Sequence, residues 1–303
     1  MANQKGRESV LIPLTIILAC ILCYTEFRLT AWNMTVPLNG YGAILPVLKG
    51  RSLVPIQYRV LIPWIVGDRG KLFYVAVKGL GIWFALYSFS LFCNSINTNP
   101  LAGVLFLSAI LPMMFLYDYA DCYYEFGFFA LAFALSINGG QGLLWLAPIT
   151  LLAALNRETA IFIPIGYFLL TGDYIGTAIL FGIFIIGYMI PRIYYGKKPR
   201  SCDFSQISQN IKDFKDGPHW EARNIRFTLF GIKLSVEHLF LAILLSWFIG
   251  SGFISFTGAI GPLYWMMCFF IAVLIVPSIW WEVRVFMPVL LVTIPITLQI
   301  LGR

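Results

Sequence analysis

Apolar runs recur along almost the whole chain, from Val10 to Leu301, and nothing else in the sequence restricts its fold as much. Ten can be delimited: Val10–Tyr24, Leu72–Cys93, Leu101–Tyr117, Phe126–Ile137, Leu143–Leu155, Ala160–Leu170, Tyr174–Pro191, Leu239–Phe256, Leu263–Trp281 and Val285–Leu301. A helix needs about 20 residues to cross the hydrocarbon core of a bilayer, so 303 residues leave room for about ten crossings once the polar segments are set aside. Only 12% of the residues are charged and 59% are hydrophobic, against roughly 25% charged in a soluble domain. The expected class is therefore all-α: a polytopic integral membrane helical bundle of about nine or ten transmembrane helices. Residues 1–303 would form a single transmembrane domain with polar loops at 25–71 and 192–237.

Sidedness turns on the three shortest runs, between Phe126 and Leu170. If all ten cross and the N-terminus is inside, both large loops face outward, against the positive-inside rule. These loops hold 15 of the 21 basic residues and 7 of the 14 acidic ones. If Leu143–Leu170 is instead one long helix, parity flips after it and the second loop becomes cytoplasmic. Inverting the ten-span arrangement also satisfies the rule.

The net charge of +7 does not indicate nucleic acid, because the basic residues lie in loops between apolar runs rather than in one basic tract. The lipid bilayer and phosphate-bearing lipids are the expected partners, and no nucleic acid. Six scattered cysteines, four of them inside apolar runs, and two isolated histidines give neither a zinc site nor a disulfide framework. Lys5 and Arg7 before an apolar run resemble a signal peptide, but Thr25-Glu26-Phe27-Arg28 offers no small-residue cleavage site, so a retained first span is expected.

Four groups of residues can carry chemistry. In Asp118-Tyr119-Ala120-Asp121-Cys122-Tyr123-Tyr124-Glu125, helical spacing brings Asp118, Asp121 and Glu125 within about 60° of one another. Three carboxylates on one face suit a divalent cation or sugar hydroxyls, or they complement the N-terminus of the next helix. In Asn156-Arg157-Glu158-Thr159, ionisable groups sit between apolar runs, where their desolvation cost favours a functional reading. Arg157 and Glu158 point about 100° apart on a helix and so serve different partners. Arg157 has the donor fork for a phosphate, and an interfacial turn is the alternative. Trp280-Trp281-Glu282-Val283-Arg284 marks an interface before the last run, with Glu282 and Arg284 as anchors or phosphate contacts. Glu26 follows the first run and is either a surface general base or an ordinary interfacial glutamate. The stretch Gln57–Ile65 is amphipathic and too short to span, and it suits an interfacial position with Arg59 among the headgroups.

The order of these features resembles polytopic membrane glycosyltransferases of the GT-C type. It consists of an acidic residue after the first span, Tyr58-Arg59-Val60-Leu61-Ile62-Pro63, the Tyr117-Asp118 cluster, Asn156-Arg157-Glu158-Thr159, and Glu282-Val283-Arg284 before a last span containing proline. That resemblance implies transfer of a sugar, with inversion, from a polyprenyl-phosphate lipid carrier to an acceptor on the extracytoplasmic face of a bacterial or archaeal cytoplasmic membrane. It implies Glu26, Asp118 and Asp121 as catalytic residues, with Asp118 and Asp121 also the donors for a divalent metal, Mg or Mn. Arg59, Glu125, Arg157, Glu158, Glu282 and Arg284 would be substrate contacts. A lipid or solute transporter and a non-catalytic scaffold subunit are the other classes consistent with the composition.

Overall fold

Peptide groups surrounded by apolar side chains must satisfy their hydrogen bonds internally, which favours helices. The computed structural model describes residues 2–32, 44, 46–51, 59–111, 120–139, 142–196, 226–229, 232–253, 258–274 and 287–302; for 2–9, 26–32, 226–229, 232–241 and 274 it describes the backbone alone. In chain order the helices are α1 (Ala2–Trp32), α2 (Leu61–Val66), α3 (Lys71–Ser95), α4 (Pro100–Ile110), α5 (Ala120–Asn138) and α6 (Gly142–Asn156). A 3-10 turn (Glu158–Ile161) leads into α7 (Phe162–Thr171), then α8 (Tyr174–Tyr195), α9 (Val236–Ser251), α10 (Ile260–Leu274) and α11 (Leu290–Leu301). One antiparallel hairpin, β1 (Arg226–Leu229) with β2 (Ile232–Ser235), pairs Arg226 with Ser235 inside the second polar segment. The chain is thus helical as expected, and the hairpin is an addition that hydropathy does not signal.

Three helices, α3, α5 and α8, are long and apolar enough to cross a membrane, and seven shorter apolar helices accompany them among the described residues. Helix α1 runs through Thr25–Arg28, so Glu26 lies within a helix and not in a loop after it. The apolar run ends at Tyr24, but backbone hydrogen bonding continues through polar residues of adequate helix propensity.

Local signals fix several ends. Asn99 accepts hydrogen bonds from the N–H groups of Leu101 (3.1 Å) and Ala102 (3.3 Å), with Pro100 as first helical residue, and so starts α4. Asp173 does the same for α8, accepting from Ile175 and Gly176 at 3.0 Å. Gly172, at φ +69°, closes α7 in a left-handed conformation that a side chain would strain.

Contacts between named residues give the direction of each helix. Tyr74 meets Ala120, Val77 meets Tyr124, and Phe84 meets Gly127, so α3 and α5 run parallel. Helix α6 returns along α5, with Gly142 beside Leu135 and Asn156 beside Asp121. Helix α7 goes back the other way, with Thr159 on Glu125 and Gly166 against Phe133. Helix α8 reverses once more, from Gly176 at Tyr167 to Gly187 at Ala154 and Leu151. Helices α5 and α8 each pack against both α6 and α7, which places α6 and α7 on one diagonal of a four-helix square. The single long helix considered for Leu143–Leu170 is therefore not formed: Arg157 is extended (φ −155°, ψ 148°) and the chain reverses there.

Helix α5 is the centre of this arrangement, with 83% of its apolar window buried against 28% for α8. Bare glycines let the large rings of neighbouring helices close in. Gly127 lies under Phe84, which also packs edge-on to Phe128 at 5.2 Å. Gly166 lies against Phe133, itself stacked on Phe129 at 5.8 Å. Phe162 and Phe270 meet edge-on at 4.9 Å and join α7 to α10.

Because the directions alternate, the starts of α3, α5 and α7 share one end of the bundle with the ends of α6 and α8. Trp64 of α2 donates to the Tyr195 hydroxyl at the close of α8 (3.3 Å), so both polar segments join the bundle at this same end.

Candidate functional site

At that end a chain of alternating charges runs inward. Glu158 accepts from Nη2 of Arg59 (3.0 Å), and Nη1 of Arg59 lies 3.6 Å from Oδ2 of Asp121. The same Oδ2 is 3.5 Å from Nε of Arg157, whose Nη1 donates to Oε2 of Glu125 at 2.5 Å. Thr159 closes the inner end by donating its hydroxyl to Oε1 of Glu125. Side-chain exposure falls along the chain, from 35% at Glu158 through 18% at Arg59 and 11% at Asp121 to 4% and 3% at Arg157 and Glu125. Arg157 and Glu158 do serve different partners, and the cause is the backbone reversal between them.

The local chain accounts for this geometry. Asp121 sits in the first turn of α5, where the helix dipole favours a carboxylate, and Glu125 is one turn further on the same face. Arg157 interrupts the helix just where α6 ends, so its guanidinium reaches across to α5. Its own N–H still bonds the carbonyl of Ala153 (2.8 Å), and Leu155, whose carbonyl α6 leaves free, accepts from the N–H of Val60 (3.0 Å). That second bond ties the Arg59 segment to the end of α6. Asn156 adds a bond from its amide to the Asp121 carbonyl (2.8 Å), and Nη1 of Arg157 also donates to the Cys122 sulfur (3.4 Å).

Several expectations change on this geometry. Arg59 turns inward onto Asp121 and Glu158, because three carboxylates gathered in an apolar end attract the nearest cation. Arg157 has the donor fork for a phosphate, yet both arms face carboxylates and the residue is 3% exposed. Two arginines against three carboxylates leave the cluster one negative charge in surplus. Glu26 belongs to α1 with its side chain outside the described residues, and Asp118, Glu282 and Arg284 lie outside them altogether. Sequence reasoning assigned no role of their own to Asn156 and Thr159; their polar groups beside buried charge were the available sign of one.

The described donors do not suit a metal ion. Among the described residues no three His, Cys, Asp or Glu side chains form a group that could hold one, and Asp121 faces two guanidinium groups where a second cation would be repelled. Four buried polar atoms of the cluster have no hydrogen-bond partner among the described residues: Nε of Arg59, Nε of Arg157, Oδ2 of Asp121 and Oδ1 of Asn156. Comparison with protein-family models, with curated proteins and with solved structures finds no match, and the chemistry is read from these side chains alone.

Proposed function

We propose that the chain is a multi-pass membrane protein of ten crossing segments and that its polar end catalyses sugar transfer from a polyprenyl-phosphate donor to an acceptor hydroxyl. The observation that carries this reading is the convergence of Arg59, Asp121, Glu125, Arg157 and Glu158, from three separate stretches of chain, at the end where both polar segments leave the helices. Five ionisable groups held between apolar helices are costly, and function is the usual reason for retaining them. The three long and seven shorter apolar helices equal the ten apolar runs in number.

In this reading the acceptor oxygen bonds to the anomeric carbon as the bond from that carbon to the lipid phosphate breaks, inverting the centre. Asp121 takes the acceptor proton. Its Oδ2 has charge partners on both sides but no hydrogen bond among the described residues, which leaves a lone pair for a hydroxyl. Arg157 and Glu125 hold Asp121 in position. Arg59 faces the leaving phosphate, where a preplaced cation stabilises developing charge.

The test is transfer from a labelled polyprenyl-phosphate sugar by membranes containing the chain. Asp121→Asn should abolish transfer while leaving the protein folded in detergent, and full activity in that variant refutes the proposal. Sidedness is the companion measurement. Fifteen of the 21 basic residues lie in segments 25–71 and 192–237, so the positive-inside rule favours a cytoplasmic polar end, whereas the resemblance requires an outward one. Single cysteines at Lys49 and Ser208 should label from one side, and those at Asn138 and Thr171 from the other. Labelling of Lys49 and Ser208 from opposite sides contradicts the ten-segment arrangement.

A further inference from the structure

The two arginines of the cluster differ in one respect. Arg157 is enclosed, and both its carboxylate partners are at most 11% exposed. Arg59 is more exposed, and its outer partner Glu158 is the most exposed member of the chain. Glu158 also uses only half of the edge it faces. It binds Nη2 of Arg59 through one oxygen, while the adjacent Nε–H is buried without a hydrogen-bond partner among the described residues. Nε and Nη2 together make the two-pronged edge that grips a phosphate or carboxylate with parallel hydrogen bonds. The inner edge faces Asp121, whose charge is shared with Arg157.

We propose that Glu158 is a built-in stand-in for an anionic ligand on Arg59, and that a phosphate group displaces it to bind the Nε–Nη2 edge bidentately. The identity of the ligand rests on the lipid-phosphate reading above; the exchange itself rests on the half-used fork. A partly exposed ion pair is weak, so a phosphate that accepts two parallel hydrogen bonds outcompetes one carboxylate oxygen, the more so once transfer turns the monoanionic diester into a monoester of higher charge. The buried Arg157–Glu125 pair has no such competitor, because removing either partner strands a charge. Exposed Arg69 and Lys71, beside exposed Asp68 at the start of α3 on the same end, offset the surplus negative charge of the cluster and lessen its repulsion of an anion. When the phosphate leaves, Glu158 returns to Arg59, and the cation is never bare.

The purified full chain is titrated with inorganic pyrophosphate, and separately with phosphatidylcholine nanodiscs doped with undecaprenyl phosphate or with phosphatidylglycerol. Glu158→Gln removes the competitor and should tighten binding by roughly fivefold, the equivalent of a partly exposed ion pair. Arg59→Lys keeps the charge but loses the fork, and should weaken binding at least tenfold. Tightening by Glu158→Gln cannot arise from misfolding, so that arm stays decisive if Arg59→Lys is unstable. Binding unchanged or weakened in Glu158→Gln, or unchanged in Arg59→Lys, overturns the proposal. A response to pyrophosphate and to the undecaprenyl phosphate discs identifies the phosphate group itself as the ligand. A response confined to phosphatidylglycerol discs identifies a bulk headgroup and overturns the phosphate-carrier form of the proposal. If affinities shift as expected while no sugar is transferred, the exchange stands and the glycosyltransferase reading falls. If transfer occurs but Glu158→Gln binds like the wild type, only the exchange falls.

Discussion

Replacing Arg157 by methionine separates a buried charge clamp from incidental proximity. The methionine approximates the length of the arginine stem but removes the bond to Glu125 Oε2, the contact with Asp121 and the bond to the Cys122 sulfur. Glu125, 4% exposed, would keep only the Thr159 hydroxyl among its described partners. Breaking a buried pair by deleting one member costs about 3–5 kcal/mol, because the remaining charge is neither solvated nor paired. Glu125→Gln should cost less, about 1–3 kcal/mol, since the amide can still bond Thr159 and Arg157 retains Asp121. Glu125→Met combined with Arg157→Met should cost less than the sum of the two single changes, because neither charge is left stranded. Unfolding by SDS in mixed micelles, followed by far-ultraviolet circular dichroism, gives all of these values. A loss below about 1 kcal/mol in Arg157→Met, or simple additivity in the double variant, refutes the clamp.

Further outcomes follow from the packing and the helix ends. Gly127→Ala and Gly166→Ala would press a methyl into the Phe84 and Phe133 rings and should each cost about 1–3 kcal/mol, whereas exposed Gly182→Ala has open space and should stabilise α8 by about 0.5–1 kcal/mol; the same SDS titration ranks them. Asn99→Ala removes both bonds at the start of α4 and should cost about 1 kcal/mol. Backbone N–H groups led by that of Gly176, with the Tyr167 hydroxyl, hold the Asp173 carboxyl below the usual aspartate range. A depressed folded value means that its contribution is present above the unfolded value of about 3.9 and is lost as pH falls through the lower folded value. Thermal melts of wild type and Asp173→Asn should therefore differ in pH dependence below about pH 4 and run parallel above it, with parallel curves throughout counting against the cap.

Much of the helical layout is written in hydropathy. The glycine stretch from Asn138 to Gly142 joins the end of α5 to the start of α6, and the interruptions at 94–100, 156–159 and 171–173 likewise coincide with helix ends or reversals. What hydropathy does not encode is where a polar flank stops being helical, so Glu26 is inside α1 and not after it. The hairpin of α6 and α7 was ambiguous for a related reason: two short apolar runs, Leu143–Leu155 and Ala160–Leu170, separated by one polar interruption read equally as a kinked helix or as two. Arg157 decides between them, since a buried guanidinium needs carboxylates and its partners among the described residues, Asp121 and Glu125, are on α5. The spacing of Asp121 and Glu125 on one face was legible from helical geometry alone. The pairing of Asp121 with Arg59, far upstream in the chain, was not, because an arginine in an amphipathic stretch suits the headgroups as well as it suits an acid cluster.

The position of the charges also bears on why the helix breaks where it does. An uninterrupted helix through Asn156 and Arg157 would carry the guanidinium away from α5 and strand Glu125 among apolar side chains. Extending the backbone at Arg157 costs one turn of helical hydrogen bonds. The carbonyl of Leu155 recovers one from Val60, and the side chain of Asn156 makes another with Asp121. The same reversal frees Glu158 to face Arg59 from the outer side. One backbone distortion therefore separates the cluster into an enclosed half, where Arg157 and Glu125 fix α5 against α6 and α7, and a more exposed half, where Arg59 meets Glu158. A site that must both hold its helices together and admit a charged substrate needs that division, because a single arginine cannot anchor the fold and release its carboxylate in the same cycle.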